Sequence, residues 1–425
     1  MTKSMKKIFN SAVLSIFISC NFSEKMSTEI KVPNETLIVS SKGKLFNFNL
    51  ETKKLVWQYI SKEDTLNNRN RFTYDAKNIY MPFESGRLIG ANINSGKIIW
   101  NDNFVNPSYL ATDNTDSDDE NKVKGNSDGY LGPIFMSRQL VSDNKLYIAS
   151  AGRPETFKSE FFVVNTKDGK VIRTNKNSTN YNYYQPVENK GNIYVNSAVF
   201  LDLHYHSGSD RNGINENAAF ENTIYTQMQA SKNRLFVGDE YGKFYSTEIN
   251  EDGFVNAGNN SSPSNNYVKN KDFFEWTYQS EKYPGLGDDQ TALVDDFLIV
   301  CKKSEDESKM ALIAIDSKSG KENWIFQPEI IIKNWQVVNQ KEITVYTKNK
   351  IFVLDLKGII NFEIPIDNSF YPVSNIEINS KNELLYISGK GIITIDRRTK
   401  QTKLLVAHTF YPSSIPLNQI KYFQK

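Results

Sequence analysis

The sequence is poor in the residues that usually carry chemistry. It has two cysteines, Cys20 and Cys301, and three histidines in 425 residues. No Cys–His or His-Glu-x-x-His spacing supports zinc, and there is no P-loop, dinucleotide glycine fingerprint or Gly-x-Ser-x-Gly elbow. After the N-terminus no run approaches ~18 apolar residues, which excludes a further membrane-spanning helix. Nor is there an excess of charge. Lysine and arginine number 51 against 49 aspartates and glutamates. Three of those lysines fall in the first 19 residues, so the remainder has no global attraction for nucleic acid or anionic lipid. No amphipathic helix is evident beyond the N-terminus.

What is present at the start is an address. "MTKSMKK" is basic, and "IFNSAVLSIFIS" is a short, mostly apolar run that ends at Ser19–Cys20. It is too short to span a bilayer and reads as a secretory signal, residues 1–19. A cysteine directly after such a run resembles the bacterial lipobox. That resemblance implies cleavage before Cys20 and lipid on its thiol, although Phe17 replaces the usual leucine. Residues 20–34 then read as a flexible tether and 35–425 as the folded domain. With Cys20 acylated, Cys301 in "FLIVCKK" has no disulfide partner and reads as a small buried hydrophobe.

The body of the chain repeats itself. "NINSGKIIW" (Asn92–Trp100) returns as "DSKSGKENW" (Asp316–Trp324). Related copies place Asn49, Asn165, Asp355 and Asp396 at the anchor and Trp57, Arg173, Phe362 and Leu404 at the close. Two weaker copies use Glu248, closing at Trp276 after an insertion, and Asp202. Ahead of each anchor, apolar residues alternate as in a strand with a buried face. The Asp or Asn side chain can bind turn amides. Gly96, Gly169 and Gly320 supply a positive φ, and the tryptophan wedges between neighbouring sheets. A further strand precedes most copies, as in "TLIVSS", "NIYMPF" and "RLFVGD". Eight units at intervals near 40 residues predict an all-β, eight-bladed β-propeller of four-stranded antiparallel blades. The first unit lacks an innermost strand, and the tail "SSIPLNQIKYF" is expected to supply it.

The phrase resembles the Asp-x-x-x-Gly-x-x-x-Trp signature of the PQQ-like β-propeller repeat family, over roughly residues 35–405. That family includes quinoprotein alcohol dehydrogenases and outer-membrane assembly lipoproteins of the BamB type, which are non-enzymatic scaffolds. The enzyme branch implies a vicinal Cys–Cys pair, a stacking Trp, calcium ligands and a catalytic Asp. The vicinal pair is absent here. Trp335, outside the blade position, reads as one exposed aromatic.

Other candidates read blandly. Polar insertions at 102–135 and 251–272 are expected surface loops. The first holds Asp113, Asp116, Asp118, Asp119 and Glu120, but no register fits an EF-hand loop. His204 and His206 could share a strand face with Asp210, yet nothing else supports a metal. "PGLGDDQ" reads as a turn, with Asp288 and Asp289 as turn residues. The resemblance therefore implies no catalytic residue, cofactor or metal. It implies a monomeric envelope scaffold, facing the periplasm from the outer membrane, that binds a protein partner and no nucleic acid. The alternatives are a lipoprotein that binds a toxin, glycan or surface polymer through its loops, and third a quinoprotein-type oxidoreductase. Replacing Cys20 by Ala is expected to release the mature protein into soluble fractions. Fractionation checks this, and membrane retention with unchanged cleavage would contradict lipid attachment.

Overall fold

The computed structural model describes residues 35–424 apart from 62–63, 65–70, 84–85, 104–134, 136–137, 151–159, 177–183, 198–199, 206–214, 221, 252, 254, 256–273 and 412–417. Both polar insertions fall largely outside these residues, as do the acidic cluster Asp113–Glu120, His206 and Asp210. The propeller unit runs from Asn34 to Lys425.

The described strands pair into eight four-stranded antiparallel sheets. Blade 2 shows the plan: Thr73–Tyr74, Asn78–Pro82, Arg87–Asn92 and Ile98–Asn103, in that order from first to fourth strand. Blades 3 to 8 repeat it. Their first strands are Leu140–Ser142, Val187–Asn189, Gln229–Ser231, Gly285–Val294, Ile332–Val338 and Glu377–Ile378. Blade 1 differs. Glu35–Ser41, Lys44–Asn49 and Lys54–Ile60 take the second to fourth places, and Gln419–Gln424 pairs with Glu35–Ser41 in the first. The tail thus fills the innermost strand, as its apolar content suggested. First strands of neighbouring blades touch, including those of blades 8 and 1.

The core lies in the seams between blades. Eight apolar clusters each join consecutive sheets. One packs Leu37, Val39 and Phe46 of blade 1 against Leu385, Ile387 and Ile392 of blade 8, closing the ring. Both faces of a sheet are therefore dry, which is why the second and third strands are near-continuous apolar runs.

The repeated phrase explains the seams. Asn92 Oδ1 accepts the amides of Asn94 and Ser95 at 3.1 and 3.0 Å, and Asp316 and Asp396 act likewise. The tryptophan of one blade then docks on the turn of the next. Trp57 Nε1 donates to Ile93 O at 2.9 Å, Trp100 to Thr166 O at 2.7 Å, Trp276 to Ser317 O at 3.0 Å and Trp324 to Leu356 O at 2.9 Å. Each accepting residue directly follows an anchor. Under the indole lies the turn glycine. A Cβ on Gly169, whose φ is +75°, would sit 2.7 Å from Trp100 Cδ2. In two blades whose predecessor closes without a tryptophan, lysine stands in the same turn: Lys400 follows Phe362 and Lys53 follows Leu404 round the ring, both at φ +56°. Glycine is kept where an indole needs the space, and positive φ alone tolerates lysine.

A β-bulge precedes the docking residue. In blade 2, Gly90 pairs with Trp100 and Ala91 with Ile98, so Ile99 is extra. The same offset occurs at Val56, Ile172 and Asn323. A bulge turns the outer strand and spoils its edge for pairing with other chains.

Three expectations need correction. Trp57 and Trp324 are only partly buried, whereas Trp100 and Trp276 are buried; all four lie on outermost strands, where the rim of the ring meets solvent. Asp202 lies inside the strand Phe200–Tyr205 opposite Val195, and Tyr205, opposite Asn192, takes the anchor register. "PGLGDDQ" is not a turn before a strand, because Gly285–Val294 is one strand with a register shift between Leu286 and Thr291.

Replacing Trp100 by Ala is expected to cost about 3–5 kcal/mol, as for other large aromatic deletions. Gly169→Ala should destabilise through its clash. The double variant should lose less than the sum, because the new methyl enters vacated space. Denaturant titration of the four proteins measures this coupling.

Candidate functional site

The first strands line the axis, and their register defines a belt. Lys421, Thr73, Leu140, Val187, Gln229, Ala292, Gln336 and Glu377 occupy equivalent pairing positions in blades 1 to 8. Two residues earlier stand Gln419, Arg71, Arg138, Gln185, Gln227, Gln290, Asn334 and Asn375. Every member is an amide or a guanidinium.

Most amides tie neighbouring blades together. Gln185 Nε2 donates to Gln139 O at 2.8 Å, and Gln227 Nε2 to Gln185 O at 2.9 Å. Gln290 Nε2 donates to Trp335 O at 2.6 Å. Asn375 exchanges two bonds with Ile420, at 3.1 and 2.8 Å. Short inner strands leave backbone carbonyls unpaired, and side-chain amides satisfy them. The sequence reading missed this belt. Its signal is an Arg, Gln or Asn two places before each aligned inner-strand position, hidden because several of these strands have only two or three residues.

Arg71 and Arg138 break the pattern in blades 2 and 3. Neither donates a hydrogen bond to a described residue. Arg138 is half-buried. Burial, and then the charge of Arg71, lower its value to about 10. Nearby, Lys421 and Glu377 form an ion pair at 3.0 Å. Burial pulls the Lys421 ammonium down, but Glu377 and Tyr74 outweigh it and raise it. The belt can offer cationic and amide donors to a carboxylate or carbonyl.

The blade 6–7 seam holds a second group. Trp335 is 1% exposed, correcting its reading as an exposed aromatic. Its Nε1 donates to Asp288 Oδ2 at 2.9 Å, and the Gln290 amide donates to Oδ1 at 3.0 Å. Asp288 touches solvent at one edge but is otherwise enclosed. Burial, then the Asp289 charge, push its carboxyl up to about 7, while the Trp335 and Gln290 bonds pull it down. Cys301 is fully buried against it, and burial, with Asp288, pushes the thiol well up. A thiol kept protonated is no nucleophile. Asp288 and Asp289 do not converge as an acid–base pair, since only Asp288 is enclosed.

A quinone does not fit these residues. The one tryptophan outside the blade position is covered and its N–H is engaged, so it offers no open face for stacking. Among the described residues no three His, Cys, Asp or Glu side chains converge as metal ligands. His204 lies on a strand opposite Ile193, and His408 packs edge-on to Phe46 and Phe48.

A carboxyl raised in the fold holds its proton more tightly in the native than in the unfolded chain. Its contribution is therefore most favourable at acid pH and declines as pH rises from about 4, the ordinary value, towards about 7. Asp288→Asn should remove that slope, so the variant gains in melting temperature relative to the natural chain at pH 8 more than at pH 4.5. Thermal melts across this range check it.

A family profile described as "Outer membrane protein assembly factor BamB" matches residues 19–117. No curated protein sequence matches the chain significantly. Among solved structures, BamB from Moraxella catarrhalis is 12% identical, with a TM-score of 0.54 over 84% of this chain and 92% of that one. Apo AztD from Citrobacter koseri is 9% identical, with a TM-score of 0.58 over 93% and 99%. A quinohemoprotein alcohol dehydrogenase from Pseudomonas putida HK5 is 9% identical, with a TM-score of 0.56 over 85% and 69%. At such identities the structures speak to fold alone. The repeated docking phrase, the ring of four-stranded blades and the partial profile match together support a PQQ-like β-propeller fold for this chain.

Proposed function

We propose that the chain is a non-enzymatic scaffold of the cell envelope, anchored through lipid on Cys20, that binds a protein partner as a monomer in outer-membrane protein assembly. The observation that carries this reading is the match of residues 19–117 to the BamB profile, which begins beside Cys20. The site chemistry agrees with it. The axial belt offers donors but pairs no nucleophile with a base, and the buried thiol is held protonated. Arg71 and Arg138 give an acidic or carbonyl-rich protein segment something to engage at the axis. The same reading places the propeller in the periplasm.

Crosslinking in envelope extracts, followed by affinity capture through a C-terminal tag, tests this. Recovery of an outer-membrane assembly component in stoichiometric amount is the expected result, weakened by Arg71→Glu/Arg138→Glu. Capture of a glycan, a toxin or a surface polymer instead would favour a specialised binding lipoprotein. Turnover of an alcohol with an artificial electron acceptor would overturn the non-enzymatic reading.

A further inference from the structure

The two ends of the propeller are not alike. The described turns between third and fourth strands lie at one end, where the docking tryptophans meet the turns of blades 2, 3, 6 and 7. The chain enters the ring at that same end. Glu35 O accepts the Leu50 amide, and Thr36 pairs with Asn49 beside the blade 1 turn.

Around this entry point the outer strands expose aliphatic side chains. Val56 is 49% exposed, Ile99 39%, Ile172 53%, Ile360 46% and Leu404 41%. These lie on blades 1, 2, 3, 7 and 8, an unbroken arc centred on blade 1. Each blade of the arc adds an exposed lysine in or just after the turn: Lys54, Lys97, Lys170, Lys357 and Lys400. The acids at the turn anchors of blades 7 and 8, Asp355 and Asp396, are engaged by backbone amides. Glu51 and Asp168 are the exposed acids of the blade 1 and blade 3 turns, and Asp168 is 3.8 Å from Lys170. Blade 5 lies opposite blade 1 in the ring. Among the described residues, its turn exposes Glu248 and Glu251. Blade 6 exposes Lys318, Lys321 and Ile325 as well, but puts Glu322 and Asn323 where blade 2 has Ile98 and Ile99.

Exposed aliphatics at a protein edge normally invite a partner strand. Here the bulges at Val56, Ile99 and Ile172 break the regular edge such pairing needs. Lysine stems beside shallow aliphatic side chains instead suit a headgroup layer, where the ammonium meets phosphate and the methyls enter the acyl boundary. We propose that this end of the propeller rests on an anionic lipid bilayer along the arc from blade 7 through blade 1 to blade 3, with blade 5 lifted away. The inference rests in part on the lipid-anchored reading, since the tether from Cys20 enters at blade 1. Fourteen tether residues reach about 45 Å when extended, so the tether alone would let the ring tumble and the arc is what orients it.

The test uses the full-length, membrane-extracted protein in vesicles of phosphatidylcholine with or without phosphatidylglycerol. An environment-sensitive fluorophore is placed on Ile172→Cys or on Glu251→Cys; Cys301 is buried and will not label. The Ile172 label should shift to the blue and be quenched by a lipid-borne quencher in phosphatidylglycerol vesicles, while the Glu251 label should not change. Lys54→Glu/Lys97→Glu/Lys170→Glu should reverse the shift without changing the melting temperature or vesicle flotation. Flotation with no shift at Ile172, or equal shifts at both positions, overturns the proposal. Loss of flotation counts against the anchor at Cys20, and the response of the Ile172 label to added phosphatidylglycerol vesicles then still decides the face.

Discussion

The contact on which the fold depends is an indole lying across the turn of the next blade. A four-stranded sheet with two apolar faces cannot stand alone in water. The tryptophan joins two such sheets at their outer edge, where the seam would otherwise open to solvent. It does so with one hydrogen bond to the carbonyl after the anchor and one close approach to a glycine. Both features belong to the neighbouring blade, so the phrase works only when repeated. The bulge before the tryptophan belongs to the same device. It shifts the outer strand by one residue and leaves an edge unsuited to further pairing.

The inner edge is solved by different means. Inner strands are short, and in several blades they end before their carbonyls are all paired. Glutamine and asparagine side chains cross to the next blade and satisfy them. Blade 1 takes its inner strand from the last residues of the chain, so the seam between blades 8 and 1 joins segments almost the whole chain apart. Contacts of that separation form late, after the loop entropy of the whole chain has been overcome.

How much of this was legible follows from what each position must satisfy. The anchor, turn and tryptophan were readable because local and tertiary demands fall on nine consecutive residues. Trp276 was recoverable across an insertion because its strand still had to meet Ser246. Asp202 misled because an acid within an apolar run imitates a strand end, while the register places Tyr205 there. Trp335 and Asp288 were misjudged separately because their meaning is mutual: the carboxyl accepts the indole N–H across the blade 6–7 seam. The axial belt escaped notice since its side chains serve carbonyls on other blades, and no local pattern demands an amide there.

The axis of this chain does not suit a planar cofactor, and the reason is physical. A planar cofactor needs an open aromatic face and charged groups free to meet it. Here the one tryptophan outside the blade position is covered, its N–H held by a carboxyl that burial drives toward its neutral form. Most amides of the belt are spent on the ring. What stays unspent is Arg71 and Arg138 at the axis and the lysine–aliphatic arc at the tether end. One is a small donor set suited to a chain segment, the other a broad shallow surface suited to a bilayer.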